Sequence, residues 1–220
     1  MKSVFVGIDI QERRGCCFAV LHDDGTVVKS GWFGDDPAAE VVSLVNSLRD
    51  KYNVSVGIDG PRHPLPSPRT WYWNGRAAIW TERAEQKGYG RHCEIVVSAY
   101  GLANPQWTPI EGEAPSWMVI GFNMFAALES IIPSVHEVFP TASYSLLRDD
   151  TDVRITIDFS SCLRGPKDML DAFVAAATVR EFVCGRGEEV GGKDGLGTII
   201  LPRPLPEPVV TEVLSWPEHV

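Results

Sequence analysis

Two aspartates follow two nearly identical apolar segments. Residues 4–9 read VFVGID and residues 54–59 read VSVGID, so Asp9 and Asp59 occupy the same place in each. Because side chains alternate along a strand, Asp9 shares a face with Gly7, and Asp59 shares the equivalent face with Gly57. In neighbouring parallel strands at matched register, the two carboxylates would lie roughly 5 Å apart. Carboxylates this close repel each other, and a divalent cation would relieve that repulsion.

Each aspartate also has a simpler interpretation. Asp9 could cap a turn, and Asp59 could begin an Asp-Gly-Pro turn. The repeated placement keeps the metal-site hypothesis open beside this one. Glycines at 7 and 57 remove bulk on the same face, which would let a helix or a ligand approach.

Further acidic side chains could join this pair. Asp168 and Asp171 are three residues apart in a predicted helix, so both can point the same way. Asp168 could instead complement the helix dipole, whereas Asp171 borders the apolar stripe, where an unpaired carboxylate is costly. Glu137 lies in a short predicted strand and needs a partner, either a metal or an arginine. Glu94 is predicted to begin a strand at 94–97.

The elements that must position these residues follow from periodicity and turn signals. Strands are predicted at 2–10, 15–21 and 27–32, the last two joined by an Asp-Gly turn, and a helix at 37–52 leads to the strand at 54. A helix between two strands makes those strands parallel. Helices are also predicted at 117–131, 142–147 and 166–183, and a strand at 135–139. The tail after Gly185 is predicted to wrap the domain surface.

The irregular stretch 61–115 is too long for a structureless loop, so it is predicted to be an insertion. Some helix is expected at 76–88. Trp71, Tyr72 and Trp73 could stack on nucleic-acid bases, or could pack the insertion against the domain. The expected fold is therefore one α/β domain over 1–220, with three layers, a mixed sheet of about five strands and an insertion after the fourth strand. Its order of elements is that of a ribonuclease H-like fold.

Composition narrows the class of protein. The chain has 220 residues and a net charge of −9, which argues against a broad basic surface for non-specific nucleic-acid binding but leaves a local basic groove possible. Five cysteines form no C-x-x-C pair, so reduced thiols and a cytoplasmic protein are expected. No signal peptide and no membrane-spanning segment are predicted. The sequence does not indicate an oligomeric state.

Several short motifs resemble a family of predicted ribonuclease H-like nucleases (domain of unknown function 429). They are VGID near the N-terminus, GIDGP after the first helix, R-x-x-E at 91–94, EVFP at 137–140, K-D-x-x-D-A at 167–172 and the late GG…GTIILP segment. The resemblance implies Mg²⁺ or Mn²⁺ on Asp9, Asp59 and Asp171 or Asp168, with Glu94 and Glu137 as auxiliary ligands or proton-transfer groups. It implies a nucleic-acid or nucleotide substrate, with phosphate-binding cations at Arg62, Arg69, Arg91 and Lys167.

Three functions are compatible with these residues. The first is a metal-dependent nuclease or phosphodiesterase. The second is an actin-like nucleotide-binding phosphotransferase, which needs a glycine-rich turn after the first aspartate; here Asp9 is followed by five residues before Gly15. The third is a non-catalytic binding protein on the same fold.

Overall fold

A seven-stranded mixed sheet forms the centre of the computed structural model, which describes residues 1–83, 88–153, 155, 157, 162 and 164–217. The strand order is β3-β2-β1-β4-β7-β9-β8. These strands are β1 (Lys2–Asp9), β2 (Cys17–His22), β3 (Val27–Trp32), β4 (Tyr52–Asp59), β7 (Val135–Val138), β8 (Glu188–Gly191) and β9 (Thr198–Leu201). A separate hairpin contains β5 (Trp71–Asn74) and β6 (Ile79–Glu82).

Helices cover both faces of this sheet. They are α1 (Pro37–Arg49), α2 (His92–Ala99), α3 (Ser116–Glu129), α4 (Pro140–Leu147) and α5 (Pro166–Val183). Val4, Val6 and Ile8 of β1 pack with α1 and α3, while Phe5, on the opposite face, packs with α5. The predicted α/β class with three layers is confirmed, whereas the assignment to the ribonuclease H-like fold stays a prediction. Among the described residues, no helix is long and apolar enough to span a bilayer.

The repeated segments are neighbouring strands in the predicted register. β1 and β4 are parallel, and every residue from Lys2 to Asp9 pairs with its counterpart fifty positions later, which sets Asp9 opposite Asp59. The crossover through α1 fixes this direction, as predicted, because two strands joined by a helix run parallel in one sheet. β2 and β3 extend the sheet as antiparallel strands on the other side of β1.

The glycines of the repeat allow α5 to lie directly on the sheet. A Cβ at Gly7 would be 2.1 Å from the carbonyl oxygen of Ala172, and a Cβ at Gly57 would be 2.4 Å from Val179 Cγ2. Both distances are far below contact distance, so only glycine fits there. The prediction that these glycines admit a helix is confirmed.

The insertion folds differently from the prediction. Residues 76–83 form a turn and the strand β6 rather than a helix, and 84–87 lie outside the described residues. The predicted strand at 94–97 is wrong, because this run belongs to α2. The run is short and apolar, so periodicity does not separate a strand from a buried helix. A capping box decides the outcome, since the Glu94 carboxylate accepts the backbone N–H of Arg91 at 3.2 Å.

The sheet is larger than predicted because the tail contributes two strands. β9 pairs in parallel with β7, and β8 adds an antiparallel edge, so seven strands replace the expected five. Positive φ values occur at Gly191, the last residue of β8, and at glycines 192, 195 and 197 in the connection to β9. The predicted surface wrapping of this segment is therefore wrong from Glu188 to Leu201.

Trp71 and Trp73 of the hairpin pack against the cluster formed by α2, β8, β9 and the C-terminal segment, together with Trp80. Trp80 stacks edge-on against Trp216 and donates its indole N–H to the Glu212 carbonyl at 2.9 Å. For Trp71 and Trp73, these contacts favour packing of the insertion against the domain over stacking on nucleic-acid bases.

Candidate functional site

Four aspartates meet where β1 and β4 end and α5 begins. Asp9 and Asp59 are the last residues of their strands and are directly opposite each other. α5 crosses β1 with Ala172 and Ala176 against Gly7, and its N-terminal turns extend toward the carboxyl end of the strand. Asp168 and Asp171 belong to those turns, so the predicted convergence of the four aspartates is present. The positive end of the helix dipole also faces this negative cluster.

Asp9 is buried, and no arginine or lysine of the described residues forms an ion pair with it. It is 2% exposed, and its Oδ2 atom has no hydrogen-bond partner. Burial and the negative charge of Asp171 raise the pKa of Asp9 to about 7, and the side chain of Gln11 offsets part of this. One oxygen of the Asp9 carboxylate is thus buried with no hydrogen-bond partner among the described residues, and such an atom points to a ligand or a proton.

Asp59, the other carboxylate at a strand end, is perturbed in the same direction. Its residue surface is partly exposed to the cavity described below. Burial of the carboxylate, followed by the charges of Asp9 and Asp171, raises the pKa of Asp59 well above its usual value, while Lys167 lowers it. The two strand-end carboxylates therefore compete for protons, as like charges at one site do.

Asp168 is fully paired. Arg14 donates from Nε to Oδ2 at 2.5 Å and from Nη2 to Oδ1 at 2.8 Å, which is the bidentate arrangement of arginine and carboxylate. The Arg14 side chain is 51% exposed, whereas Asp168 is buried. Asp168 therefore has its negative charge balanced from the loop between β1 and β2.

Asp171 is paired as well. Lys167, one turn earlier, donates to both carboxylate oxygens, to Oδ2 at 2.5 Å, and its ammonium also lies over the ring of Tyr144. Tyr144 donates its hydroxyl proton to Asp171 Oδ1 at 2.7 Å. Burial and this hydrogen bond raise the pKa of Tyr144, so it stays a donor throughout the physiological range.

Glu94 and Glu137 share one buried arginine. Arg91 has no exposed side-chain surface and binds Glu94 Oε1 through Nη2 at 2.8 Å and Glu137 Oε2 through Nη1 at 2.7 Å. Thr108 donates its backbone N–H to Glu94 at 3.1 Å, and Arg62 donates its backbone N–H to Glu137 at 2.9 Å. Burial raises the pKa of Glu137 and Arg91 offsets part of that rise. Glu137 thus has the arginine partner that was predicted as one of its two options.

The predicted phosphate-binding cations have other partners in this structure. Arg91 lies in the interior. Arg62 binds Glu129 at 2.7 Å and the Val135 carbonyl at 2.6 Å, and Arg69 binds the carbonyls of Tyr89 and Trp71 at 2.7 and 2.6 Å. These contacts hold the three guanidinium groups on partners other than the four aspartates. Lys167, in contrast, contacts Asp171.

A cavity of about 560 Å³ opens beside the strand ends. Its lining includes both carboxylates of the pair and several side chains that could recognise a ligand: Asp9, Asp59, Arg14, Asn104, Gln106 and Trp117. Glu94 and Glu137 also contribute to its wall, on the far side from α5. A volume of this size is within the range of small-molecule and nucleotide sites.

Sequence reasoning missed Arg14, Tyr144 and Gln11. Arg14 lies in the segment after Asp9, and a loop that leaves the carboxyl end of β1 must stay near that edge. That position is the signal that could have found it. The Tyr144 contact depends on how α4 packs beside α5, and no spacing in the sequence indicates it.

The carboxylates do not form a large ligand set. Among the described residues, no group of three or more His, Cys, Asp and Glu side chains could hold a metal ion. Arg14 and Lys167 contact both carboxylate oxygens of Asp168 and of Asp171, respectively. The carboxylates of Asp9 and Asp59 remain as possible metal ligands. Hard divalent cations prefer carboxylate oxygens, and the partnerless Oδ2 atom of Asp9 fits this preference.

Comparison with protein-family models, with curated proteins and with solved structures finds no match.

Proposed function

We propose that this chain is a metal-dependent phosphodiesterase or nuclease, with Mg²⁺ or Mn²⁺ held by Asp9 and Asp59. The observation that carries the proposal is the exceptional state of Asp9. Six acidic residues are buried among those described, and five of them pair with an arginine or a lysine. Asp9 has no such partner, yet it lies beside another carboxylate at the edge of a cavity.

The supporting argument is electrostatic. The raised pKa values of Asp9 and Asp59 show that their negative charges are poorly compensated. A divalent cation that displaces the protons would compensate both charges at once. When bound, such an ion would supply Lewis-acid activation of a water molecule and of the phosphodiester. The remaining carboxylates contribute through their charge, and Asp171 acts on both Asp9 and Asp59.

The residues of the cavity suit a phosphate ester of limited size. Arg14 lines the cavity with half of its side chain exposed, so it can contact a phosphate oxygen while it holds Asp168. Trp117 offers an aromatic surface to a base, and the amides of Asn104 and Gln106 offer hydrogen bonds. The net charge of −9 favours a nucleotide or a short single strand over a long duplex.

The testing experiment measures hydrolysis of bis(p-nitrophenyl) phosphate and of a short single-stranded oligonucleotide with Mn²⁺. Asp9→Asn and Asp59→Asn should each lower the rate at least a hundredfold. Asp23→Asn, in the exposed turn between β2 and β3, is the matched control and should not change it. Cleavage that persists in both site variants would exclude the proposed site.

Two further outcomes decide between the alternatives. Mn²⁺ binding without any cleavage would favour a non-catalytic binding protein. A thermal shift with ATP and Mg²⁺, again without cleavage, would favour the actin-like phosphotransferase.

A further inference from the structure

The four aspartates of the site are divided into two kinds by their partners. Asp168 and Asp171, both on α5, each have a cation that contacts both carboxylate oxygens. Asp9 and Asp59, on the strands, have no arginine or lysine within ion-pair distance among the described residues. The aspartates of the helix are paired and those of the strands are not, because both cations lie near the N-terminal end of α5. The loop after β1 supplies Arg14, and the first turn of the helix supplies Lys167.

Charge balance at this site calls for one divalent cation. Four carboxylates with Arg14 and Lys167 leave two negative charges, and a single ion of charge two neutralises them. A second ion beside both Lys167 and Arg14 would leave the site with a net charge of plus two before any substrate arrives. Without Lys167 this excess falls to plus one, and both oxygens of Asp171 lose their ammonium partner. Independent of the charges, the buried and partnerless Oδ2 of Asp9 indicates where the first ion would go.

We propose that the chain binds a single divalent cation between Asp9 and Asp59, and that Lys167 and Arg14 are built-in counter-ions which exclude a second one. This inference rests on the proposed function, since it assumes that the strand-end pair takes a metal. Lys167 is the decisive residue, because its ammonium occupies both oxygens of Asp171, the third carboxylate that a two-ion site would need.

The exposure of these side chains makes the inference testable without loss of the fold. The Lys167 side chain is 65% exposed, so its replacement removes a charge and leaves packing intact. Asp171 keeps the hydrogen bond from Tyr144 in such a variant and would gain a free oxygen for metal binding. The same logic applies to Arg14 and Asp168.

The experiment is a titration of the metal-free full chain with Mn²⁺, in which free Mn²⁺ is followed by electron paramagnetic resonance and the heat by calorimetry. Wild type should bind one equivalent, and Lys167→Met should bind two. Lys51→Met, an exposed lysine in the turn after α1, is the matched control and should bind one. Circular dichroism checks that all three proteins are folded.

The possible results separate the two proposals. Two equivalents on wild type would overturn the counter-ion role and leave the proposed function standing. One equivalent on both wild type and Lys167→Met would show that Lys167 does not exclude an ion, and would overturn the inference in the same way. No binding to wild type at millimolar Mn²⁺ would overturn the metal site itself, and the proposed function with it.

Discussion

Replacement of Asp9 by asparagine should stabilise the metal-free protein at neutral and alkaline pH. In the folded chain the pKa of Asp9 is raised from 3.8 to about 7, chiefly by burial and then by the charge of Asp171. A carboxyl group with a raised folded pKa binds its proton more tightly in the folded state. Its contribution to stability is therefore complete below pH 3.8 and is lost as the pH rises toward 7.

The magnitude follows from the difference of about three pH units, at about 1.4 kcal/mol each, which gives an upper bound of ~4 kcal/mol. Coupling to Asp59 and the imperfect fit of an amide reduce this, so we expect Asp9→Asn to raise the free energy of unfolding by ~2 kcal/mol at pH 8. At pH 4 the difference should vanish, because the wild-type carboxyl is then protonated and neutral.

Urea unfolding in the presence of EDTA, at intervals from pH 4 to pH 8, measures this directly. Asp23→Asn, an exposed control, should show no pH-dependent gain. Saturating Mn²⁺ should reverse the order at pH 8, because a ligand at a hundred times its dissociation constant adds ~2.7 kcal/mol to wild type alone. A variant that is less stable than wild type at pH 8, or a difference that does not change with pH, would refute the reasoning.

Three other substitutions test the framework of the site by urea unfolding. Gly7→Ala should destabilise by at least ~3 kcal/mol, because its Cβ would lie 2.1 Å from the Ala172 carbonyl oxygen, whereas Gly112→Ala, with open space around it, should change little. Arg91→Met should cost ~3–5 kcal/mol by leaving two buried carboxylates unpaired, and a loss below 1 kcal/mol would contradict the structural role of this arginine. Burial raises the pKa of Glu181, but three arginines outweigh it and lower this pKa from 4.5 to about 2. Glu181→Gln should therefore lower the free energy of unfolding by ~2 kcal/mol at pH 7, and by progressively less as the pH falls from 4.5 to 2. A loss that is constant over this range would exclude the ion-pair explanation.

The centre of the fold could be predicted because its signals are local and agree with one another. The repeated VGID segment, the helical spacing between its copies and the alternation of side chains together fix parallel strands and place Asp9 opposite Asp59. The bounds of α5 also match the prediction, since Pro166 begins the helix and a Cys-Gly pair follows its end.

The insertion and the tail could not be predicted in the same way. The apolar run in α2 is buried on nearly all sides, so it lacks the one-sided pattern that identifies a helix. β9 is only four residues long, and it forms a strand because it pairs with β7. This pairing joins segments that are far apart in the sequence, so local patterns do not predict it. The pairing of Arg14 with Asp168 was missed for the same reason, because these residues are 154 positions apart in the sequence.

The two groups of buried acids in this protein differ in what holds them. Arg91 binds Glu94 and Glu137, and Glu137 in turn accepts the backbone N–H of Arg62, which fixes the chain shortly after Asp59. That cluster is satisfied from within and supports the end of β4. Asp9 lies at the end of the next strand of the same sheet, with a raised pKa and a partnerless oxygen. Among the described residues, five buried acids have a cationic partner and Asp9 has none. The fold therefore keeps a destabilising carboxylate at this position, and such a group is expected where a ligand completes the structure.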